Sequence, residues 1–237
     1  VVPRRRAPGD VPLDAVAAPD DTELFFCRTD RADHPSWTAD FGSPAPQSGT
    51  AGITRVDHVA LTQPWHHFDE ASLFYASVLG LQPNESLDLA DPYGLFRSRA
   101  VANAGGTLRI ALNVAPVPGE QEIRPQHIAL ATDDLLATAR RVREAGAALL
   151  PIPDNYYDDL DARYGLAPET LAAFRELGIL YERDENGGEF LHCYTVTVGR
   201  VFFELVERRG GYQGYGAANA TVRLAAQHTA DAGSRRS

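Results

Sequence analysis

The chain has 237 residues, 44% of them hydrophobic, and carries a formal net charge of -10. That length is enough for one large domain or two small ones with a buried core. The acidic balance argues against a nucleic-acid-binding protein, because phosphate contacts require clustered Lys and Arg. No stretch reaches the roughly 20 apolar residues that cross a bilayer, and the two cysteines have no CxxC spacing. We therefore expect a cytoplasmic protein with neither a nucleic-acid nor a membrane partner.

The two ends of the chain differ in composition from its middle. Residues 1–52 are rich in Pro, Ala, Asp, Ser and Gly, with one apolar patch at Leu24-Phe25-Phe26. This composition predicts a linker-like or partly disordered segment. Residues 225–237 predict a disordered tail. The chain has no methionine, even at position 1, which leaves open an upstream partner domain.

From residue 53 the pattern predicts elements in the order strand, helix, strand, strand, strand. A first strand is predicted at 53–61. The helix that follows stops at Gly80 and carries apolar residues at i, i+3, i+4 and i+7, namely Ala71, Phe74, Tyr75 and Val78. Three strand-like runs come next, at 81–89, 94–103 and 107–114. We interpret residues 53–118 as one βαβββ module.

The same order restarts in residues 119–224, which predict a second βαβββ module. A strand is expected at 126–131 and a helix at 134–145, with Gly146 as the C-terminal signal. An irregular insertion at 151–166 separates this helix from another at 168–177. Three more strands are predicted, at 179–183, 189–198 and 200–207, the first two joined by the turn signal Asn186-Gly187.

One short phrase begins both modules: VDHVAL at 56–61 and PQHIAL at 125–130. Strand side chains alternate between faces, so His58 shares a face with Ala60 as His127 does with Ala129. Neither module has enough strands to close a barrel alone. Two modules related by a pseudo-two-fold axis would enclose a cavity on which both histidines converge. The predicted fold class is α+β, with two modules forming an open barrel.

A carboxylate completes the candidate site. Glu204 lies in the apolar strand RVFFELVE, where an unpaired charge would cost several kcal/mol. Two neutral imidazoles and one carboxylate on three strands match the facial triad of non-haem Fe(II) oxygenases, which leaves open coordination positions. We therefore predict that His58, His127 and Glu204 are metal ligands and catalytic residues. Taken singly, each could instead be a hydrogen-bonded core residue.

Seven ordered segments resemble the vicinal oxygen chelate superfamily, whose folds pair βαβββ units. They are RVDHVAL, FYASVLGL, RIALN, PQHIAL, PIPDNYYDDL, LGILYERDENGGEFL and VFFELVERRGGYQGYGAAN. More closely, they resemble the catalytic C-terminal domain of 4-hydroxyphenylpyruvate dioxygenases. The resemblance implies an open barrel around Fe(II) held by His58, His127 and Glu204, with Mg, Mn or Co as other divalent candidates. It also implies a chelating 2-oxo acid, O2 as co-substrate, and decarboxylation coupled to hydroxylation.

The same resemblance implies five substrate-binding residues: Ser98, Asn113, Gln126, His192 and Tyr215. The first three match polar positions that the family places around its substrate. His192 stands where the family has a further glutamine, and Tyr215 offers an aromatic face. Ala220 stands where the family has a phenylalanine that packs on the substrate ring, which points away from 4-hydroxyphenylpyruvate itself.

A second resemblance lies in WHHFDEA, FLHCYT and GYQGYGAAN. These stretches are similar to the dioxygenase-like C-terminal half of bifunctional bacterial proteins whose N-terminal barrel has 3-dehydroshikimate dehydratase activity. Three functions stay open: an Fe(II)- and O2-dependent dioxygenase of a 2-oxo or aromatic acid, a metal-binding module without oxygenase turnover, and an extradiol dioxygenase of catechols. We favour the first, and expect a homo-oligomer with an upstream barrel as a further partner.

Overall fold

The computed structural model of the protein describes residues 11, 13–27, 52–91, 94–114 and 126–234. These residues form ten strands: β1 Asp14–Ala17, β2 Glu23–Phe26, β3 Ile53–Thr62, β4 Gln82–Asp91, β5 Gly94–Ala102, β6 Arg109–Val114, β7 Gln126–Thr132, β8 Leu180–Arg183, β9 Glu189–Tyr194 and β10 Val201–Arg209. They also form five α-helices: α1 Phe68–Leu79, α2 Leu135–Glu144, α3 Asp154–Tyr164, α4 Pro168–Leu177 and α5 Ala220–Ser234. None of these helices is both long and apolar enough to span a membrane.

Eight of the strands form one mixed sheet in the order β4-β5-β6-β3-β7-β10-β9-β8. The two halves mirror each other: β3 pairs in parallel with β6, β7 pairs in parallel with β10, and β3 and β7 pair antiparallel at the centre. This strand order has the pseudo-two-fold symmetry that the repeated phrase predicts. It confirms the α+β fold class of two βαβββ modules, with the sheet curled into a half-barrel.

Each module packs its helices on one face of its own half of the sheet. In the first module, Ala71 and Tyr75 of α1 are fully buried in a core with Leu61 of β3. In the second, Leu135 of α2 and Tyr157 of α3 belong to a larger core. Burying side chains such as Leu contributes about 1.5–3 kcal/mol each. Because strand side chains alternate, the other face of the central strands is left for polar residues.

A β-hairpin occupies part of the segment for which the sequence predicts a linker. β1 and β2 pair antiparallel, and Ala18 and Leu24 pack on the first-module core. Gln63 donates from Nε2 to Asp20 Oδ2 at 2.7 Å, which ties the hairpin to the end of β3. Residues 1–10, 12 and 28–51 of that segment, like the predicted module boundary at 118, lie outside the described residues.

Two other segments are more helical than the sequence predicts. The insertion expected to be irregular contains α3, which buries Tyr156, Tyr157 and Leu160. Its adjacent tyrosines and many acidic residues obscure the helical period. Helix α5 continues to Ser234, although a disordered tail is predicted from residue 225. The tail prediction fails because Ala226 joins the second-module core, and that packing stabilises the helix.

Candidate metal centre

The three predicted ligands meet at the central strands of the sheet. On β3 and β7, His58 lies opposite Ala129, and Ala60 lies opposite His127. Glu204 of β10 lies opposite the same Ala129, on the other side of β7. Paired residues share a face of a sheet, as do residues two apart on one strand. The pairing therefore directs both imidazoles and the carboxylate to one side of the sheet.

The donor atoms of these residues form a compact triangle. His58 Nε2 lies 3.1 Å from Glu204 Oε2, His127 Nε2 lies 3.2 Å from the same oxygen, and the two nitrogens are 3.4 Å apart. Two donors each bound about 2.1 Å from one ion are about 3.0 Å apart at a right angle and about 3.4 Å apart at a tetrahedral angle. The triangle therefore fits one divalent cation.

The carboxylate oxygen in this triangle is buried without a hydrogen bond. Glu204 is 1% exposed, and its Oε2 accepts no hydrogen bond from any described residue, although two imidazole nitrogens lie within 3.2 Å. Two ring nitrogens that converge on such an oxygen offer, together with it, three potential ligand atoms to one cation. A bound cation satisfies such an arrangement, whereas a dry cavity leaves it costly.

Burial and the neighbouring side chains together set the pKa values of the three ligands. Burial acts to raise the pKa of Glu204, but the imidazoles of His127, His192 and His58 outweigh it and hold that pKa well below its ordinary value. Burial lowers the pKa of His127 to about 4, so this imidazole is neutral and ready to bind a metal at pH 7. The pKa of His58 is raised, since Asp57 and Glu204 outweigh its burial.

Asp57 orients the His58 imidazole. The Nδ1 atom of His58 lies 2.9 Å from Asp57 Oδ1. Asp57 also accepts from Arg208 at both carboxylate oxygens, at 2.8 and 2.9 Å. A carboxylate that accepts from one ring nitrogen fixes the tautomer and turns the other nitrogen to the metal, as is usual for metal-binding histidines. Asp57 and Arg208 thus hold Nε2 of His58 toward the triangle.

His192 orients the carboxylate from behind. Its Nδ1 lies 2.7 Å from Glu204 Oε1, and its Nε2 lies 3.2 Å from Asn219 Nδ2. The Tyr156 hydroxyl donates to Asn219 Oδ1 at 2.9 Å, so the amide nitrogen of Asn219 faces the imidazole as a donor. His192 therefore carries its proton on Nδ1 and donates it to Oε1, which leaves Oε2 for the metal. At Gly216 a Cβ would lie 2.7 Å from this ring.

A cavity of about 280 Å³ opens beside the metal centre. It is lined by His58 and His127 and by three of the predicted substrate residues, Ser98, Asn113 and Tyr215. Ser98 of β5 pairs with Asn113 of β6, so both polar groups enter from the first module. The Tyr215 ring meets the His58 ring edge-on, with 5.6 Å between centroids. A ligand in this cavity would contact the metal side of both histidines.

Two predicted substrate residues are not among the described residues that line the cavity. Gln126 is half-buried at the start of β7, opposite Val201. His192 is fully buried behind Glu204. A larger groove of about 500 Å³ on α3 and α4 shares no lining residue with the cavity. The predicted ligands His58 and His127 therefore face the smaller space.

Four polar residues around the site are not predicted from the sequence: Asp57, Arg208, Asn219 and Arg223. A signal existed for Asp57, because an acidic residue directly before His58 is a common orienting partner. Arg208 and Asn219 come from distant positions in the chain, and nothing in their local pattern indicates contact with a ligand. Arg223 lies in α5, just before the residues 225–237 that the sequence predicts to be a disordered tail.

The amino-acid sequence is similar to those of several known proteins. Residues 55–169 match the family described as Glyoxalase/Bleomycin resistance protein/Dioxygenase superfamily. The chain is 38% identical over 239 residues to a 3-dehydroshikimate dehydratase of Pseudomonas putida, an alignment that covers 97% of this chain and 38% of that protein. It is 34% identical over 182 residues to a 4-hydroxyphenylpyruvate dioxygenase of Pseudomonas aeruginosa, with 72% and 50% covered.

One solved structure is similar to this chain over most of its length. It is described as a xylose isomerase-like TIM barrel/4-hydroxyphenylpyruvate dioxygenase fusion protein, with a TM-score of 0.76 at 36% identity. The match covers 91% of this chain and 35% of that one, so the chain spans well under two thirds of the relatives it matches. The chain carries a domain of the Glyoxalase/Bleomycin resistance protein/Dioxygenase superfamily, with the paired βαβββ fold of vicinal oxygen chelate proteins.

Proposed function

We propose that the chain binds a divalent metal ion through His58, His127 and Glu204 and acts as an Fe(II)- and O2-dependent dioxygenase of a chelating 2-oxo or aromatic acid. One observation carries the proposal: two imidazole nitrogens converge on a buried carboxylate oxygen that has no hydrogen bond from the described residues. Iron is preferred over Mg, Mn or Co because two histidines and one carboxylate are the donor set of Fe(II) oxygenases.

The residues around the centre have separate tasks in this proposal. Three ligands on one side of an ion leave positions that face the cavity, where Fe(II) would supply the one-electron chemistry with O2 that side chains lack. Asp57 and His192 hold the ligands in place through their hydrogen bonds. Ser98 and Asn113 would bind polar groups of the substrate from the first-module wall.

Gln126 and His192 would act indirectly in substrate binding. The backbone N–H of Gln126 donates to Arg200 O at 2.9 Å, which anchors the start of β7 next to His127. His192 would affect the substrate through the position of Glu204. Tyr215 would provide an aromatic wall beside His58.

The test uses chain purified anaerobically and reconstituted with Fe(II). Oxygen uptake and CO2 release are measured with a panel of aryl and aliphatic 2-oxo acids. Uptake coupled to CO2 release supports the proposal. A coloured ring-cleavage product from catechols, without CO2 release from any 2-oxo acid, supports the extradiol reaction instead. A chain that binds no metal contradicts both.

A second candidate is a metal-binding module without oxygenase turnover that serves a longer dehydratase with an upstream barrel. The relatives favour it, because the chain matches 38% of a protein named for dehydratase activity and 35% of a fusion with a TIM barrel. Dehydration needs no O2. This candidate predicts that the chain loads metal yet consumes no oxygen with any acid of the panel.

A further inference from the structure

We propose that Arg223 forms a carboxylate-binding subsite in the cavity, so that the ligand carries an anionic group besides the two oxygens that chelate the metal. This inference rests on the proposed function, because the same ligand must be held by the metal centre. Its expected class is a small ring with two adjacent oxygens and a carboxylate.

Arg223 is a buried cation at the cavity wall. It lies one helical turn after Ala220 on α5, and both residues line the cavity. Arg223 is 8% exposed, and its guanidinium carbon lies 5.6 Å from the ring centroid of Tyr194 and 5.9 Å from that of Phe202. These aromatic faces stabilise the cation and limit where its donors can point.

Arg223 has no ion pair with any residue that the structure describes. Its Nη1 donates to the neutral Gln227 Oε1 at 2.5 Å, whereas a guanidinium carries five N–H donors. The two other largely buried arginines close to the centre, Arg208 and Arg109, are paired with Asp57 at 2.8 and 3.7 Å. A buried cation without an anion is costly. Arg223 is therefore the cation of this site that remains for a ligand, and its fork of donors matches a carboxylate.

The cavity gives the rest of the ligand an apolar surrounding. Leu87, Leu89 and Phe96 line it together with Arg223. A volume of about 280 Å³ suits one ring with small substituents. Ala220 begins α5 at the cavity, and the N-terminal end of a helix favours a nearby negative charge. A ligand that matches the apolar walls, the Arg223 cation and the metal centre is therefore a cyclic acid that also chelates the metal.

The test compares two probes that share a pair of adjacent hydroxyls and differ by one carboxylate, 3,4-dihydroxybenzoate and catechol. Their binding to the full chain loaded with Co(II) is measured anaerobically by calorimetry. We expect the acid to bind at least about tenfold more tightly than catechol, as for a charge-assisted bidentate contact. Arg223→Leu should abolish this preference and Arg223→Lys should keep part of it. Arg163→Leu, an exposed arginine of α3 outside the cavity, should leave it unchanged.

Each outcome decides. Equal binding of both probes to the wild-type chain, or an unchanged preference in Arg223→Leu, overturns the subsite, while metal loading and catechol binding leave the proposed function standing. Failure of Co(II) to bind overturns the proposed function and the subsite together. If Arg223→Leu does not fold, Arg223→Lys decides, because a subsite at this position requires it to retain a preference that is weaker than in the wild type.

Discussion

The two modules repeat each other strand for strand, yet they contribute unequally to the candidate metal centre. Both supply a histidine at the same place, His58 on β3 and His127 on β7. The register makes Ala111 of β6 the counterpart of Glu204 of β10, because each pairs with the alanine two residues after its histidine. Among the described residues, only the second module provides a carboxylate to the three-donor triangle, and Ala111 lines the cavity instead.

Because of this difference, a symmetric sheet forms an asymmetric site, with more ligand atoms on one side and more open space on the other. The duplicated strands place four residues around one point in two equivalent pairs, the two histidines and Glu204 with Ala111. Three of these four residues carry potential metal-ligand atoms. The methyl group of Ala111 leaves room for a ligand on the first-module side, where Ser98 and Asn113 also line the cavity. A second asymmetry precedes the histidines: Asp57 is paired with Arg208, whereas its counterpart Gln126 lines neither the cavity nor the metal centre.

Removal of the carboxylate tests the unequal contribution most directly. We expect Glu204→Ala to lower metal affinity by more than about 100-fold, because loss of a residue that only orients a ligand already costs about 10- to 100-fold. Metal content after anaerobic reconstitution and titration with Co(II) measure it. Glu185→Ala, in an exposed turn, is the matched control. Full metal occupancy in Glu204→Ala would refute the assignment of the triad.

The residues before the two histidines should differ in effect. Asp57→Asn removes the charge that orients His58 and pairs with Arg208, and we expect a loss of metal affinity of about 10- to 100-fold. Gln126→Ala, at the equivalent position of the second module, should change it by less than about twofold, since the side chain does not orient His127. Titration of both variants with Co(II) gives the comparison, and equal losses would contradict it.

Moving the carboxylate to the other module sharpens the comparison. In the double variant Glu204→Ala with Ala111→Glu, the pseudo-two-fold places the new carboxylate at the equivalent of the lost one. We expect metal affinity to recover by about tenfold relative to Glu204→Ala, as for one regained charged donor. The control adds Ala100→Glu, on the neighbouring strand, to Glu204→Ala. Recovery in the control but not at residue 111 would show that the modules are not equivalent at the site.

His192 gives the smallest effect on the metal and a measurable effect on stability. His192→Leu leaves Glu204 Oε1 and the Asn219 amide without their partner, so we expect unfolding free energy to fall by about 1–3 kcal/mol and metal affinity to fall several-fold. His192→Gln, which keeps a donor toward Glu204, should recover most of the affinity. Urea denaturation of the apo chain and Co(II) titration separate the two. A stability loss with unchanged affinity would mean that the hydrogen bonds of His192 support the fold but not the position of the metal ligand.

Much of the fold could be predicted from the sequence because the patterns that indicate its strands and helices are local. All strands of the two modules and most of their helices have a period of their own, and Gly80 ends α1 in the left-handed conformation, with φ 66. The β1–β2 hairpin, α3 and the extension of α5 were missed. These segments are weakly patterned and owe their structure to a few buried contacts with the modules, such as those of Ala18 and Ala226.

The sequence by itself determined the duplicated βαβββ order and indicated the three side chains that meet, because a repeated phrase and a charge in an apolar strand are visible without coordinates. Only the tertiary structure decided what surrounds them. It placed His192 behind the carboxylate rather than in the cavity, and brought Arg208 to Asp57 from the far end of the chain. It also left Arg223 as a buried cation without an anion among the described residues. Such partners depend on strand register and helix packing, which join residues that no local pattern connects.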